Sequence, residues 1–397
     1  MIRLALALVV LALPACATPA ERDDPCRCPD PKSIAVPQVS ATPAITPATF
    51  AALPNWASDD HAAALEAFRR GCAAIRDARW RGPCDRAQAL GKTNSSGNLS
   101  GVARAEARRF FESEFIPHSV AGENNAETGL VTGYYEPLLR GSRARSGSYQ
   151  HAILGVPDDL VAVDLGSVVT DSRALRLRGR LDGRRLVPYY SRAEIDAGRV
   201  RTTSRELFYV DDPIELFFLQ VQGSGRIRLP DNVIVRIGYG DQNGHPYRSI
   251  GAYLVERGEM TLDEASMQSI KRWAQANPQR LNELLHHNPS FVFFREVPAG
   301  DIPDGLGARG AMGVPLTPER SVAVDTRFIP LGAPVYLATT RPNSDVALER
   351  LVLAQDTGGA IRGANRIDFY WGFGAQPGEE AGRMRQRGRV WVLLPRS

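Results

Sequence analysis

The stretch at residues 351–372, near the C-terminus, constrains the fold of this chain more than any other. An apolar run ends at Asp356, glycines follow at positions 358, 359 and 363, and a second apolar run carries Asp368. This pattern predicts a strand, a tight loop and another strand. It would bring two carboxylates to a glycine-lined surface that a ligand can approach closely. A polar turn in a β-protein without a functional role would explain the stretch equally well.

The composition is that of an ordinary globular protein. At 397 residues, 43% hydrophobic and 23% charged, the chain is long enough for two domains plus extensions. The net charge is +4, and nearly all of the basic residues are arginine. This excess is too small and too scattered to indicate nucleic acid, although it would suit an anionic polymer. The His and Cys residues lack zinc-finger or His-Glu-x-x-His spacing, so we expect no metal and no cofactor.

The N-terminus has the pattern of a bacterial lipoprotein signal peptide. Residues 1–12 form an apolar segment with one positive charge, Arg3, near its start. This segment is too short to span a membrane permanently. The segment Leu13-Pro14-Ala15-Cys16 resembles a lipobox, which predicts lipidation of Cys16 and attachment to a membrane leaflet. An ordinary signal peptide with a chance cysteine is the alternative. Because Ala17 rather than Asp follows, the pattern resembles that of an outer-membrane lipoprotein facing the periplasm.

The other cysteines can form disulfides in an oxidising compartment such as the periplasm. Cys26 and Cys28 are one residue apart and poorly placed to bond each other. Cys72 and Cys84 flank a predicted helix end and are the favoured bridge, although spacing leaves the connectivity open. Residues 17–54 are rich in Pro, Ala, Thr and Ser, which predicts a tether rather than a folded domain.

Hydrophobic periodicity predicts both helices and strands. Amphipathic helices are expected over 59–79 and 102–115, the first capped by Ser58. Strongly apolar runs at 207–210 and 214–221 predict strands that close on a Gln-Gly-Ser-Gly turn. The tail contains five further predicted strands, whose close spacing indicates a small barrel: 321–325, 333–338, 351–356, 367–371 and 389–394.

Two segments combine aromatic and polar side chains as sugar-binding surfaces do. The apolar run at 128–137 ends in Tyr-Tyr-Glu-Pro, and an aromatic ring has an apolar face on which a pyranose can stack. The end of a core strand is the alternative. The glycine-rich loop at 238–249 would suit a polyhydroxylated, acetamido-bearing ligand, or would be a solvated hairpin. Its candidate binding residues are Tyr239, Asn243, Tyr247 and Arg248.

Together these motifs resemble the membrane-bound lytic murein transglycosylase A family. Tyr-Tyr-Glu-Pro at 134–137, Gln-Gly-Ser-Gly at 222–225, Asn-Gly-His-Pro-Tyr-Arg-Ser-Ile-Gly at 243–251 and Asn-Pro-Ser-Phe-Val-Phe-Phe at 288–294 occur in the order of that family. The resemblance covers about 50–395, and residues 138–205 match least clearly. The tail resembles the family's 3D domain, which takes its name from three aspartates, here Asp325, Asp356 and Asp368.

The resemblance implies a fold that is mainly β with several helices. A double-psi β-barrel domain would comprise 55–137 and 299–397, with the 3D domain at about 321–395. A second β-domain with helices would be inserted at 138–298, leaving a substrate groove between the two. The chain would be a monomer whose partners are peptidoglycan glycan strands and, through the lipid on Cys16, a membrane.

The family cleaves the β-1,4 bond between N-acetylmuramic acid and N-acetylglucosamine without water. The C6 hydroxyl attacks C1 intramolecularly and forms a 1,6-anhydro sugar, so one carboxyl group can serve as acid and then as base. The resemblance assigns that role to Asp368. The aromatic residues 369–371 and a charged Asp356 would raise the pKa of Asp368, with Asp356 and Asp325 as supporting groups. The implied groove residues are Tyr134, Glu136, Gln222, Gly223, Ser224, Tyr239, Asn243, Tyr247 and Arg248.

Three other functions fit parts of the pattern. An inverting hydrolase could use Asp368 as acid and Asp356 as base if the carboxyls lie roughly 6.5–9.5 Å apart. Asp-Thr-Gly at 356–358 resembles an aspartic-protease motif, but the second copy that a dyad requires is missing, since Asp325 is followed by Thr-Arg. A non-catalytic glycan-binding lipoprotein is the third alternative.

Overall fold

The computed structural model describes residues 44–90, 103–164 and 177–396, all within one compact unit, Ala41–Ser397. The predicted signal peptide, the lipobox with Cys16, and the pair Cys26 and Cys28 lie outside the described residues. The fold is mixed, mainly β with several helices. The helices are α1 His61–Cys72, α2 Arg81–Ala89, α3 Arg104–Glu114, α4 Arg192–Asp196, α5 Pro213–Gln222, α6 Ile250–Glu256, α7 Met267–Ala276, α8 Leu281–His287 and α9 Ala375–Arg383. No helix in these described ranges is both long and apolar enough to cross a membrane.

The strands fall into three sheets. They are β1 Ile45–Pro47, β2 Phe115–Val120, β3 Gly129–Glu136, β4 Leu138–Ser142, β5 His151–Leu154, β6 Val161–Ala162, β7 Arg178–Asp182, β8 Arg185–Pro188, β9 Glu206–Val210, β10 Gly225–Arg228, β11 Ile234–Gln242, β12 Val292–Val297, β13 Ser321–Val324, β14 Pro334–Thr340, β15 Ala347–Asp356, β16 Ile367–Phe373 and β17 Arg385–Pro395. The tail strands β13 to β17 occupy the five positions that the apolar runs predict.

The largest sheet closes on itself. Its order is β1-β2-β17-β14-β15-β13-β16-β3, and β17 also pairs with β3, so six of its strands form a ring. Two pairings in the ring are parallel, β13 with β15 and β3 with β16. The apolar residues of these strands, together with α1 to α3, form one continuous core. A closed ring leaves none of its six strands with an unpaired edge.

A second sheet, with the order β12-β11-β10-β4-β9-β5, is formed entirely by the segment between β3 and β13. The chain enters it where β3 ends at Glu136 and β4 begins two residues later at Leu138. It leaves after β12, through a loop rich in Gly and Pro at residues 298–315. The strands β6, β7 and β8 form a small third sheet.

The predicted strand at 214–221 is wrong, because this apolar run forms helix α5. Asp212 caps its N-terminus by accepting hydrogen bonds from the backbone N–H groups of Ile214 and Glu215. Gly223 ends it with φ +79°, a conformation that glycine adopts without strain. The run buries Ile214, Phe217 and Phe218 against α6, α7 and α8 at helical spacing.

Two boundaries near the N-terminus also differ from the predictions. The helix predicted over 59–79 ends at Cys72, and its cap is Asp60 rather than Ser58. Cys72 and Cys84 form a disulfide, with 5.5 Å between their Cα atoms, that joins α1 to α2. The last part of the predicted tether is folded, because Ile45–Pro47 pairs with β2 and Leu53 is only 3% exposed.

Candidate active site

Asp356 and Asp368 lie on opposite sides of the same residue. Ala323 of β13 pairs with Asp356 of β15 in the parallel direction and with Asp368 of β16 in the antiparallel direction. Neighbouring strands are about 4.8 Å apart, so the Cα atoms of the two aspartates are separated by roughly 10 Å. The structure therefore brings together the two carboxylates that the sequence singles out, with one strand between them.

Asp368 is held by a hydroxyl group on the adjacent strand. Thr132, its cross-strand partner on β3, donates a hydrogen bond from Oγ1 to Asp368 Oδ1 at 2.5 Å. Arg366 lies two residues before Asp368 and donates from Nη2 to Thr132 Oγ1 at 2.7 Å. Burial raises the pKa of Asp368 above its ordinary value, although Arg366 and Thr132 oppose that shift because they stabilise the ionised form.

Asp356 accepts hydrogen bonds at both carboxylate oxygens. The backbone N–H groups of Ala311 and Thr357 donate to Oδ1 at 2.8 and 2.9 Å, and the Tyr134 hydroxyl donates to Oδ2 at 3.1 Å. Burial raises the pKa of Asp356, repulsion from Asp368 adds to the rise, and the three hydrogen bonds oppose it. The two aspartates therefore interact electrostatically.

Only one of the three aromatic residues after Asp368 shares its face of the strand. Side chains alternate along β16, so Tyr370 points to the same side as Asp368, and its ring lies 5.1 Å from that of Tyr134. Phe369 and Trp371 point to the other side, where their rings contact each other in the core. The expectation that all three desolvate Asp368 is therefore wrong for Phe369 and Trp371.

Asp325 is fixed by an arginine and by the glycine-rich loop. Its buried carboxylate pairs with Arg327, whose Nε lies 2.9 Å from Oδ1, and accepts a hydrogen bond from the Gly363 N–H at 2.8 Å. Burial alone would raise the pKa of Asp325, but these contacts hold it below its ordinary value. Asp325 is thus an ionised anchor that ties the loop after Asp356 to the end of β13.

Glu136 is buried at the junction of the two large sheets and is only 1% exposed. Its Oε2 lies 3.1 Å from Arg226 Nε, and its other oxygen accepts a hydrogen bond from the backbone N–H of Ala308. The adjacent Gly307 lies against the Tyr370 hydroxyl, where a Cβ atom would clash. The sequence predicts that Glu136 contacts a ligand; in the structure its buried carboxylate accepts hydrogen bonds from these donors and holds the junction together.

The segment Gln222, Gly223 and Ser224 lies at the C-terminus of α5, beside the end of β3. Gln222 Oε1 accepts a hydrogen bond from the backbone N–H of Tyr135 at 3.0 Å. This contact connects the second sheet's helix layer to the strand that carries Thr132 and Tyr134.

The loop after β11 is built around Asn243, which is fully buried. Its Nδ2 donates to the carbonyls of Tyr190 and Pro289 at 2.9 and 2.8 Å, and its Oδ1 accepts from the Phe291 N–H at 2.9 Å. These bonds use both amide protons and the amide oxygen of Asn243, so its side chain is fixed within the protein. Tyr239 and Tyr247 are 40% and 45% exposed, and Arg248 is exposed as well.

Sequence reasoning missed Thr132, Arg366 and the backbone N–H of Ala311. The period of a strand could have found the first two, because Thr132 is two residues from Tyr134 and Arg366 is two residues from Asp368. Nothing local indicates that Ala311 approaches Asp356. Across the described parts of the chain, no group of three or more His, Cys, Asp or Glu side chains is arranged to hold a metal ion.

Comparison with known proteins matches both parts of this architecture. Residues 130–295 match the MltA specific insert domain, and residues 320–394 match the 3D domain. The membrane-bound lytic murein transglycosylase A of Escherichia coli K12 is 36% identical over 280 residues, which is 68% of this chain and 67% of that protein.

Solved structures of MltA proteins are also similar to this chain. The crystal structure of MltA from Neisseria gonorrhoeae, monoclinic form, is 40% identical with a TM-score of 0.75, over 90% of this chain and 94% of that one. The structure of E. coli MltA with bound chitohexaose is 28% identical with a TM-score of 0.64, over 89% of this chain and 92% of that one. The chain belongs to the membrane-bound lytic murein transglycosylase A family.

Proposed function

We propose that this protein is a peptidoglycan lytic transglycosylase with Asp368 as its single acid–base group. The observation that supports this assignment is the buried carboxyl of Asp368, coupled to Asp356 and bonded to Thr132. Burial favours the protonated form of Asp368, which a general acid must have near neutral pH. The E. coli relative binds chitohexaose, a chain of β-1,4-linked N-acetylglucosamine, and a glycan of this kind is the substrate class we infer here.

The reaction conserves its proton. Asp368 donates a proton to the glycosidic oxygen as the bond between that oxygen and C1 of N-acetylmuramic acid breaks. The resulting carboxylate then takes the proton of the C6 hydroxyl, whose oxygen bonds to C1 and closes the 1,6-anhydro ring. No water is consumed, and Asp368 ends the cycle protonated.

The other predicted residues take supporting roles. Asp356 tunes Asp368 through charge, and Tyr134 orients Asp356. Asp325 holds the glycine loop through Gly363, which leaves the loop surface open to the glycan. Exposed Tyr239, Tyr247 and Arg248 line the groove, and its shape is maintained by Glu136, Gln222, Gly223, Ser224 and Asn243.

We infer that the fold has the domain architecture that the family resemblance implies. The six-stranded ring, with its two parallel pairings, is the double-psi β-barrel, formed from 55–137 and 299–397. The sheet between them is the inserted domain, 138–298, and the substrate groove lies between the two. Cys16 carries the lipid anchor of an outer-membrane protein that faces the periplasm and acts as a monomer.

The proposal is tested by product analysis on purified sacculi. We expect mass spectrometry to find 1,6-anhydromuropeptides with the wild type and none with Asp368→Asn. Asp345→Asn, in an exposed turn, is the matched control and should retain full activity. Reducing muramic ends from the wild type would indicate an inverting hydrolase using Asp356, and glycan binding without cleavage would indicate the non-catalytic alternative. Retained activity in Asp368→Asn would place the acid elsewhere.

A further inference from the structure

Arg366, Thr132 and Asp368 form a chain of hydrogen bonds that ends at the Asp368 carboxylate. Thr132 Oγ1 lies 2.7 Å from Arg366 Nη2 and 2.5 Å from Asp368 Oδ1. A guanidinium group can only donate hydrogen bonds, so Thr132 must accept from Arg366. The one hydroxyl proton of Thr132 therefore points at Asp368 Oδ1.

We propose that Arg366 and Thr132 act as a positioning relay that confines the catalytic proton of Asp368 to Oδ2. This inference rests on the proposed function and deepens it. A proton on Oδ1 would face the hydroxyl proton of Thr132, whereas Oδ1 as an acceptor satisfies the hydrogen bond at every stage of the reaction. Oδ2 is thus the atom that gives the proton to the leaving oxygen and later receives one from the C6 hydroxyl.

The relay has a fixed direction because the backbone holds its first member. Arg366 Nη1 donates to the carbonyl of Leu130 at 3.3 Å and also to the carbonyl of Ile367. Thr132 and Asp368 are direct partners in the parallel pair of β3 and β16. Alternation places Arg366 on the same face, two residues before Asp368. The guanidinium is therefore oriented by two strands, and the hydroxyl has no second orientation that satisfies both of its neighbours.

The relay also affects the pKa of Asp368. The charged and titratable groups that face this carboxyl are Arg366 just before β16, Tyr370 on β16, Asp356 from β15 and Tyr134 from β3. Arg366 and Thr132 stabilise the carboxylate, whereas burial favours the neutral acid. Loss of the Thr132 hydroxyl therefore raises the pKa of Asp368 and extends activity to higher pH, while the misoriented carboxyl lowers the maximum rate.

Thr132→Val and Thr132→Ser separate this role from packing. Both keep the strand position, but only serine keeps the hydroxyl. With sacculi as substrate, we expect Thr132→Val to lose roughly tenfold in kcat, as one hydrogen bond to a charged group implies. The high-pH limb of its kcat profile should move to higher pH. Thr132→Ser should keep the wild-type limb and stay within about threefold in kcat, since its hydrogen bond is intact.

Arg366→Met supplies an independent arm. We expect Arg366→Met to move the high-pH limb of the kcat profile to higher pH, as Thr132→Val does. Its loss in kcat should be smaller in a Thr132→Val background, because Arg366 and Thr132 act through the same hydroxyl. An unshifted limb in Thr132→Val, or equal defects in the valine and serine variants, would overturn the relay. These results are distinguishable from failure of the proposed function, which would show as absence of 1,6-anhydro products from the wild type itself.

Discussion

Tyr134 donates its phenolic hydrogen bond to Asp356 at 3.1 Å. The same strand, β3, carries Thr132 two residues earlier, where it donates to Asp368. One strand face thus supplies one hydroxyl donor to each carboxyl of the candidate site. Since β3 is also the strand that leads into the second sheet, the arrangement of the two carboxyls is connected directly to the junction at Glu136.

The coupling between the two aspartates predicts the pH dependence of an Asp356→Asn variant. Repulsion between two carboxylates favours retention of a proton on each. Removal of the Asp356 charge should therefore lower the pKa of Asp368 and move the high-pH limb of kcat to lower pH, opposite to the shift expected for Thr132→Val. The profile should be measured on sacculi, with product identity followed in parallel.

An unchanged limb in Asp356→Asn would mean that the carboxyls are not coupled during turnover. Tyr134→Phe is a useful companion, because it keeps both carboxyls and removes a hydrogen bond that stabilises ionised Asp356. It should raise the pKa of Asp356, weaken the repulsion at neutral pH, and shift the limb in the same direction by a smaller amount.

The buried pair between Glu136 and Arg226 predicts a stability effect at the sheet junction. Arg226→Met would leave the Glu136 carboxylate buried without its partner, which typically costs about 3–5 kcal/mol in the free energy of unfolding. The Arg226 guanidinium also lies 3.4 Å from the centre of the Phe373 ring. Denaturant unfolding should show the loss.

The control for this prediction is Arg143→Met. Arg143 pairs with Glu296 at 2.6 Å, but both side chains are largely exposed, at 55% and 39%. Exposed pairs contribute about 0–1 kcal/mol, so this variant should unfold almost like the wild type. Equal and small losses in both variants would show that the junction does not depend on the buried pair.

The tail strands could be predicted from sequence because short apolar runs alternate with turn residues there. Their pairing could not, since it depends on distant partners. The stretch at 351–372 does form a strand, a loop and a strand, but β15 and β16 are not neighbours; β13 lies between them. That insertion places Asp356 and Asp368 on either side of Ala323 instead of on an ordinary hairpin.

The run at 214–221 shows a second limit of structure prediction from the sequence. It is apolar without alternation, which suits a buried strand or a buried helix equally, and the Asp212 and Gly223 caps favoured the helix. Glu136 and Asn243 show a third limit. Polar residues in glycine-rich segments were expected to face a ligand, but composition does not reveal whether buried donors and acceptors already occupy them.

Asp325 predicts how stability depends on pH. Its carboxyl has a lowered pKa in the folded state, so the stabilisation it provides is complete above the ordinary value of 3.8 and is lost as pH falls through the folded value. The free energy of unfolding of the wild type should exceed that of Asp325→Asn at pH 7. The difference should shrink below about pH 4. A difference that stays constant down to pH 2.5 would contradict this role.

The disulfide between Cys72 and Cys84 predicts a stability effect that leaves the chemistry intact. The bridge closes a loop with a sequence separation of 12 and ties α1, which packs on the ring, to α2. The double variant Cys72→Ala/Cys84→Ala should lose about 2–4 kcal/mol in the free energy of unfolding. Its products from sacculi should still carry 1,6-anhydro ends. Reduction of the wild type with dithiothreitol should reproduce the loss, whereas a reduced wild type as stable as the oxidised protein would show that the bridge contributes nothing.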